Sequence, residues 1–185
     1  MFRRWYAEAE RAGVPLVESM ALATADRRGR PSVRYVLLKS VDDTGFVFFT
    51  DARSPKGQEL QANPHAALAF YWDATGRQVR VDGRVTEVSA AEADAYWQTR
   101  PEDSRFAAWS SRQSAPLNSR SALLARWRKL RASGHDQIIP RPPRWTGFRV
   151  APRAIEFWAR GDHRLHHRER FTRTREGWKR TLLQP

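Results

Sequence analysis

Arg34-Tyr-Val-Leu-Leu-Lys39, followed after a short turn by Phe46-Val-Phe-Phe-Thr50, decides how this 185-residue chain is read. Both runs are rich in the β-branched and aromatic residues that suit a pleated surface, and Val41-Asp-Asp-Thr-Gly45 between them is turn chemistry. Strand alternation puts Arg34, Val36 and Leu38 on one face and Tyr35, Leu37 and Lys39 on the other. A core strand normally keeps charge off its span. A cation at each end of a buried run suggests an anionic ligand lying along it. The alternative is two strand-end side chains that lay aliphatic stems on apolar surface and carry their charge to water.

The neighbouring segments extend this pattern. Met20–Ala25, the Asp26–Gly29 turn, the strand Ser32–Ser40 and the strand Phe46–Thr50 read as a three-stranded antiparallel meander. Phe2, Trp5, Tyr6, Ala9 and Ala12 keep helical spacing ahead of it, with Gly13 placed to end that helix. Ser54-Pro55 opens a helix that stops at Asn63-Pro64, with Ser as the cap and Pro where its missing N–H costs nothing. Ala66–Trp72 and Gln78–Val88 are two further strands about an Asp73–Gly76 turn, and Ser89-Ala-Ala-Glu92 is a capping box for a helix reaching Arg100. Leu123, Trp127 and Leu130 mark another helix, ended near Gly134, and Ile139–Arg144 with its three Pro is a loop. Trp145–Val150, Ile155–Arg160, Leu165–Thr172 and Trp178–Leu182 read as closing strands. Antiparallel strands interrupted by helices imply a mainly β fold with helices, a closed or split barrel, and 1–185 is most simply one domain that includes the strands of 145–185.

Composition narrows the function classes. Cysteine is absent, which excludes disulfides, thiolate metal sites and cysteine nucleophiles; with no signal peptide and no run long enough for a membrane span, a cytoplasmic protein is expected. Net charge is +13, and residues 93–185 hold nearly all of it, with 20 Lys/Arg against 8 Asp/Glu. That balance favours anionic partners. The arginines are dispersed among Trp, Pro and apolar positions and form no basic tail, which argues against nucleic acid and for a phosphate-bearing small molecule.

Three constellations carry possible chemistry. Thr50–Lys56 leads into a helix N-terminus, whose free N–H groups and dipole favour an anion, and Lys56 in its first turn opposes that dipole unless an anion is present. Tyr96 and Arg100 share a helical face with Ser104 just beyond, a set suited to clamping phosphate, although an amphipathic helix end shows the same pattern. Arg164, His166 and Arg168 fall on one face of a strand after the Gly161-Asp162 turn, a cationic and titratable face. His163, His166 and His167 lie close together, but no second acidic or His cluster stands out to complete a metal site, so no metal is expected. No trustworthy Ser-His-Asp order, Gly-rich nucleotide loop or paired carboxylate stands out, so any chemistry is expected from a cofactor.

These pieces resemble the pyridoxine/pyridoxamine 5′-phosphate oxidase family, FMN enzymes built on a split β-barrel. The resemblance runs from Trp5 to Pro185 through eight motifs in family order: Arg34-x-Val-Leu-Leu-Lys39, Phe49-Thr50, Lys56, Arg77-Gln78-Val79, Tyr96-x3-Arg100-Pro-x-Asp-Ser104, Trp109-x3-Gln113-Ser114, Trp145-x-Gly-Phe-Arg149 and Glu156-Phe-Trp158-x5-Arg164-Leu-His166-x-Arg168. It implies that Arg34, Val36, Leu37, Lys39, Phe49, Thr50, Lys56 and Gln78 bind FMN from one subunit, and that Gln113, Ser114, Trp158 and Arg168 complete the site from the other subunit of a homodimer. It further implies that Lys39, Tyr96, Arg100 and Ser104 hold the phosphate of a phosphorylated pyridine substrate, and that Arg164 and His166 sit over its ring as catalytic residues. Hydride would pass from C4′ to flavin N5, molecular oxygen would reoxidise the flavin to give hydrogen peroxide, and pyridoxal 5′-phosphate would be the product. Cations near the flavin would favour its anionic reduced form.

Three positions depart from the family pattern. Pro55 stands where an Arg is usual, so one FMN-phosphate contact is expected to be missing, with Arg53 the candidate replacement; His167 replaces a common Asp; and the family's substrate-covering N-terminal arm has no counterpart before Met1, which implies either looser sequestration or a truncated start. Competing readings are a phenazine-biosynthesis-type flavin oxidase of the same fold, a flavin- or haem-binding split barrel without turnover, and a nucleic-acid-binding protein.

Overall fold

The computed structural model describes residues 1–133 and 138–185. Its frame is one antiparallel nine-stranded sheet that curls on itself. The strands are β1 (Ser19–Ala25), β2 (Pro31–Leu37), β3 (Ser40–Asp42), β4 (Gly45–Asp51), β5 (His65–Trp72), β6 (Arg77–Glu87), β7 (Trp145–Ala159), β8 (His167–Thr174) and β9 (Gly177–Leu182). The helices are α1 (Phe2–Arg11), α2 (Pro55–Ala62), α3 (Ala90–Thr99), α4 (Glu102–Ser110) and α5 (Arg120–Ser133). The expected ending of α5 near Gly134 lies outside the described residues.

Strand order is β2-β1-β5-β6-β7-β4-β3, with β8 and β9 added beyond β7. The expected meander is therefore broken. β2 pairs with β1 at one end of the sheet, while β3 and β4 pair at the other, against β7. The break falls inside the quoted run. β2 ends at Leu37, and the next two amides turn to different strands: Leu38 N–H donates to the Glu18 carbonyl, and Lys39 N–H to the Val47 carbonyl on β4. The Leu38 bond extends the β1–β2 pairing by one step, and the Lys39 bond ties the end of β2 to β4 where a ladder would otherwise close the barrel. The opening between β2 and β4 is the split.

One inner face makes the core. Met20, Leu22, Leu68, Phe70, Trp72, Val79 and Val81 point inward at alternate positions, and α1 lays Phe2, Trp5 and Ala9 over them. Trp72 is fully buried and its indole N–H donates to the Val17 carbonyl at 3.0 Å, so the ring is buried without an orphaned donor. A second cluster of Trp97, Phe106, Ile139 and Trp145 holds α3 and α4 against the start of β7.

β7 is a single strand of 15 residues, where Trp145–Val150 and Ile155–Arg160 were expected as two. Its pairing with β6 slips at Asp82/Gly83, where Gly83 faces Pro152. A bulge is where a sheet tolerates proline, and a Cβ on Gly83 would run into the Ala151 carbonyl oxygen. The bend lets one strand serve two partners, with Trp145–Val150 pairing with β4 and Ala154–Ala159 with β8. α3 ends at Thr99 with Arg100 as its C-cap, close to the expected end, and the unexpected α4 follows at once with Pro101 as its N-cap.

Candidate functional site

β2 is an edge strand, not the buried run its composition suggested. Val33 and Tyr35 are 69% and 77% exposed, while Arg34 and Val36 turn toward the barrel split. A cavity of about 500 Å³ opens there, lined by Arg34–Leu37, Lys39, Phe49, Thr50, Lys56, Tyr96, Arg100, Gln113 and Ser114, with Pro55 and, among the described residues, no carboxylate. The sequence-derived candidates from four separate segments therefore converge on one space.

Lys56 is its electrostatic centre. Ser54 caps α2 by accepting from Gly57 N–H at 3.4 Å, which fixes the helix start and turns Lys56 inward, only 7% exposed. Its ammonium donates to Gln113 Oε1 at 3.0 Å, Thr50 Oγ1 at 3.2 Å and Ser54 Oγ at 3.4 Å. Among the described residues it forms no ion pair. Burial, then the nearby Arg34 charge, pushes its pKa below the usual lysine value. A buried cation with neutral partners at a helix N-terminus is a site built for an anion.

Arg34 is oriented from behind. Its guanidinium meets Glu59 of α2 at 3.2 Å and also reaches Thr24 and Ser32, and Glu59 accepts from the Thr24 and Ser32 hydroxyls. Burial raises the Glu59 pKa, but the hydrogen bonds from Thr24, Ser32 and Arg34 outweigh it and hold the carboxyl below its usual range.

Phe49, Tyr96 and Trp145 form a stacked aromatic wall, with ring centroids 4.1 Å apart for Phe49–Tyr96 and 5.1 Å for Phe49–Trp145. Arg100 leaves the end of α3 and lays its guanidinium 4.7 Å from the Trp145 ring. It donates to the Ser104 carbonyl at 3.2 Å, its Nε is buried without a partner, and burial lowers its pKa. Arg100 also lines an adjoining cavity of about 300 Å³ with Ser104, Gln113 and Arg144.

Arg53 does not replace the arginine missing at position 55. Its guanidinium folds back 3.4 Å from Asp51, which Arg144 also engages at 3.0 Å, and Arg53 does not line the cavity. Burial raises the Asp51 pKa, and the Arg53 and Arg144 contacts bring it below the usual range.

The remaining candidates lie elsewhere, and their grouping differs from the expected one. Gln113 and Ser114, expected opposite Lys56 from a second subunit, line the same chain's cavity as Lys56. Gln78, expected with Arg34, instead pairs across β6–β7 with Trp158, which pairs in turn with Arg168 on β8. Arg164 and His166 precede β8 and do not share a strand face with Arg168. His163 and Arg164 both have left-handed backbone, with φ of 53° and 64°, in a turn where Gly161 N–H donates to His166 Nδ1 at 3.3 Å. The His166 ring lies 4.6 Å from Trp158. Glu59, Tyr35 and the aromatic wall were not singled out from sequence; the signal available for Glu59 was its position one helical turn after Lys56.

A curled antiparallel barrel, split beside a helix N-terminus to make a cationic cavity, defines a split-barrel protein with a site suited to a phosphate-bearing group. Comparison with known proteins makes the family specific. Residues 7–134 match the family model described as pyridoxamine 5′-phosphate oxidase, and residues 145–185 match the pyridoxine 5′-phosphate oxidase C-terminal dimerisation region. The chain belongs to the pyridoxine/pyridoxamine 5′-phosphate oxidase family. It is 52% identical over 184 residues to an enzyme of that name from Anaeromyxobacter dehalogenans, covering 100% of this chain and 93% of the relative. It is 50% identical over 185 residues to another from Sphingopyxis alaskensis, covering 100% and 86%. Among solved structures, PhzG from Burkholderia lata 383, in complex with tetrahydrophenazine-1-carboxylic acid, superposes with a TM-score of 0.95 at 39% identity, covering 100% of this chain and 90% of that one.

The residues present fit a flavin mononucleotide. The unpaired Lys56 ammonium and the α2 N-terminus suit its phosphate, while the flat aromatic wall and the exposed β2 edge suit a planar ring system.

Proposed function

We propose that this chain is an FMN-dependent oxidase that converts pyridoxamine and pyridoxine 5′-phosphates to pyridoxal 5′-phosphate, acting as a cytoplasmic homodimer with the flavin between subunits. The observation that carries the reading is Lys56, a buried ammonium with neutral partners only, in a cavity with no carboxylate among the described residues. FMN, when bound, would supply two-electron redox chemistry, taking hydride from the substrate's C4′ and returning electrons to oxygen.

The protein's part is holding and orienting. Lys56, Thr50, Arg34 and Ser114 would hold the FMN phosphate and ribityl chain, with Val36, Leu37, Lys39, Phe49 and Gln113 along the rest of it. Gln78, Trp158 and Arg168 cluster on a different face, so their contribution is assigned to the partner subunit's flavin. The exposed apolar side chains Val33, Tyr35, Leu37 and Tyr71, together with the dimerisation-region match, support a second copy on that side.

Lys39, Tyr96, Arg100 and Ser104 would take the substrate phosphate. Arg100 suits this because its Nε lacks a partner in a desolvated setting, where a charge-assisted hydrogen bond is strong. His166 accepts at Nδ1 from Gly161, which leaves its ring proton on Nε2 and makes it a donor toward substrate. Arg164 beside it would supply a second, permanently charged donor. We also treat 1–185 as one domain, since β7 belongs to both the N-terminal and C-terminal parts of the sheet.

Oxygen uptake by purified, FMN-loaded protein tests this. Peroxide and pyridoxal 5′-phosphate should form with either phosphorylated substrate and not with the dephosphorylated forms. The PhzG resemblance favours one competing reading, and turnover of a tetrahydrophenazine acid with none of the pyridine phosphates would establish it instead.

A further inference from the structure

Arg168 is held by two groups to which the flavin reading gives no role. Glu156 on β7 is 8% exposed, accepts from Arg168 Nε at 2.8 Å, and forms an ion pair with Arg168 Nη2 at 2.8 Å. The third contact comes from the end of the chain, where Arg168 Nη1 donates to the Gln184 carbonyl at 2.9 Å. The tail is itself fastened to β8, because Leu183 N–H donates to the Arg168 carbonyl at 3.0 Å, one step past the last β9 pair at Leu182.

A guanidinium has five N–H donors in a fixed fork. Glu156 takes the Nε proton and Gln184 one Nη1 proton, which leaves the other Nη1 proton and the two on Nη2. Glu156 also faces Arg80 at 3.6 Å, so this one buried carboxylate offsets two cations on the Trp158 side of the sheet. A flexible arginine loses rotamer freedom when it binds an anion, and fixing it beforehand removes that cost.

We propose that Glu156 and the C-terminal segment Leu183–Gln184 form a clamp that positions Arg168, presenting its remaining terminal N–H groups to an anionic part of the flavin site. Glu156 and the tail are positioning groups and touch no ligand. The tail acts through its main chain, so its side chains carry no sequence signal for the role. The proposal rests on the flavin reading of Arg168 and deepens it.

The test compares wild type, Glu156→Gln, Arg168→Ala, the double variant, Glu156→Asp and a chain ending at Leu182, all in full-length background otherwise. FMN affinity is read by flavin fluorescence titration, and exchange of the Arg168 Nε proton by NMR of the FMN-free protein. Glu156→Gln should raise the FMN Kd about tenfold, the scale typical of losing an orienting partner. Glu156→Asp should recover part of that loss, and truncation at Leu182 should raise Kd severalfold. The double variant should bind no worse than Arg168→Ala alone, since both changes act through one group. Multiplying effects in the double variant, or an unchanged Kd in Glu156→Gln, would overturn the clamp. Failure of wild type to bind FMN would sink the flavin reading instead. The proton measurement then decides the clamp by itself: protected in wild type and exposed in Glu156→Gln supports it, and already exposed in wild type overturns it.

Discussion

Replacing Lys56 with methionine separates what the lysine does for a ligand from what it does for the fold. Methionine keeps most of the volume and removes the charge. No partner is orphaned, because Gln113 Oε1 still accepts from Thr50 Oγ1 at 2.8 Å and Ser54 Oγ still caps Gly57. A hydrogen bond to a charged group is worth about 1.5–3 kcal/mol, so FMN affinity should fall by about 10- to 150-fold. The FMN-free protein should behave in the opposite sense, holding its stability or gaining up to about 1 kcal/mol, because an ammonium desolvated against neutral partners is removed.

The pH dependence has a definite sign. The folded-state pKa of Lys56 lies below its unfolded value, so the unfolded chain binds more protons between the two. The penalty is fully present below the lowered value and fades as pH rises from it toward the ordinary lysine value of about 10.4. Urea midpoints of FMN-free wild type and Lys56→Met should therefore converge as pH is raised toward about 10. A variant more than about 1 kcal/mol less stable than wild type without FMN, yet binding FMN as well, would refute the reasoning.

Other perturbations have equally definite outcomes. Glu59→Ala strips Arg34 of its partner and should cost about 1–3 kcal/mol in urea denaturation. Because the folded pKa of Glu59 is lowered, the wild-type advantage is complete above the ordinary carboxylate range and is lost as pH falls below it. Arg164→Ala should lower turnover far more than flavin retention, the reverse of the Lys56 variant, and equal effects on both would count against the division of roles. Pro55→Arg should tighten FMN binding severalfold, measured by titration, while the loss of proline at the first helical position costs at most about 1 kcal/mol. Gly83→Ala should lower the unfolding free energy by about 2 kcal/mol or more, since its Cβ meets main chain at the β6–β7 bulge.

Much of this architecture is legible from local chemistry. Ser54-Pro55 opens α2, Ser89 accepts from Glu92 N–H as its capping position requires, and Gly76 takes the left-handed conformation expected at the end of its turn. Pairing is less legible because it is decided by distant strands. Nothing in Arg34–Thr50 says that β2 and β4 sit toward opposite ends of the strand order, with the Lys39 amide bridging to β4. Period-2 alternation also cannot tell an apolar edge from a buried strand, which is why the run between Arg34 and Lys39 read as buried although Tyr35 is exposed. At the site, cations at strand ends and helix starts pointed to the cavity. The carboxylates behind them did not stand out, because Glu59 and Glu156 look like ordinary surface charge in one dimension. Glu92, read as half of a capping box, instead accepts from Arg149 at 2.8 Å.

The central claim is that the barrel split holds a flavin which a phosphorylated pyridine reduces. Anaerobic mixing of FMN-loaded protein with pyridoxamine 5′-phosphate tests it most directly. The oxidised-flavin absorption band should bleach in a single turnover and return when air is admitted, with one pyridoxal 5′-phosphate formed per flavin. A band that persists under substrate, in protein shown to retain its FMN, would contradict the account.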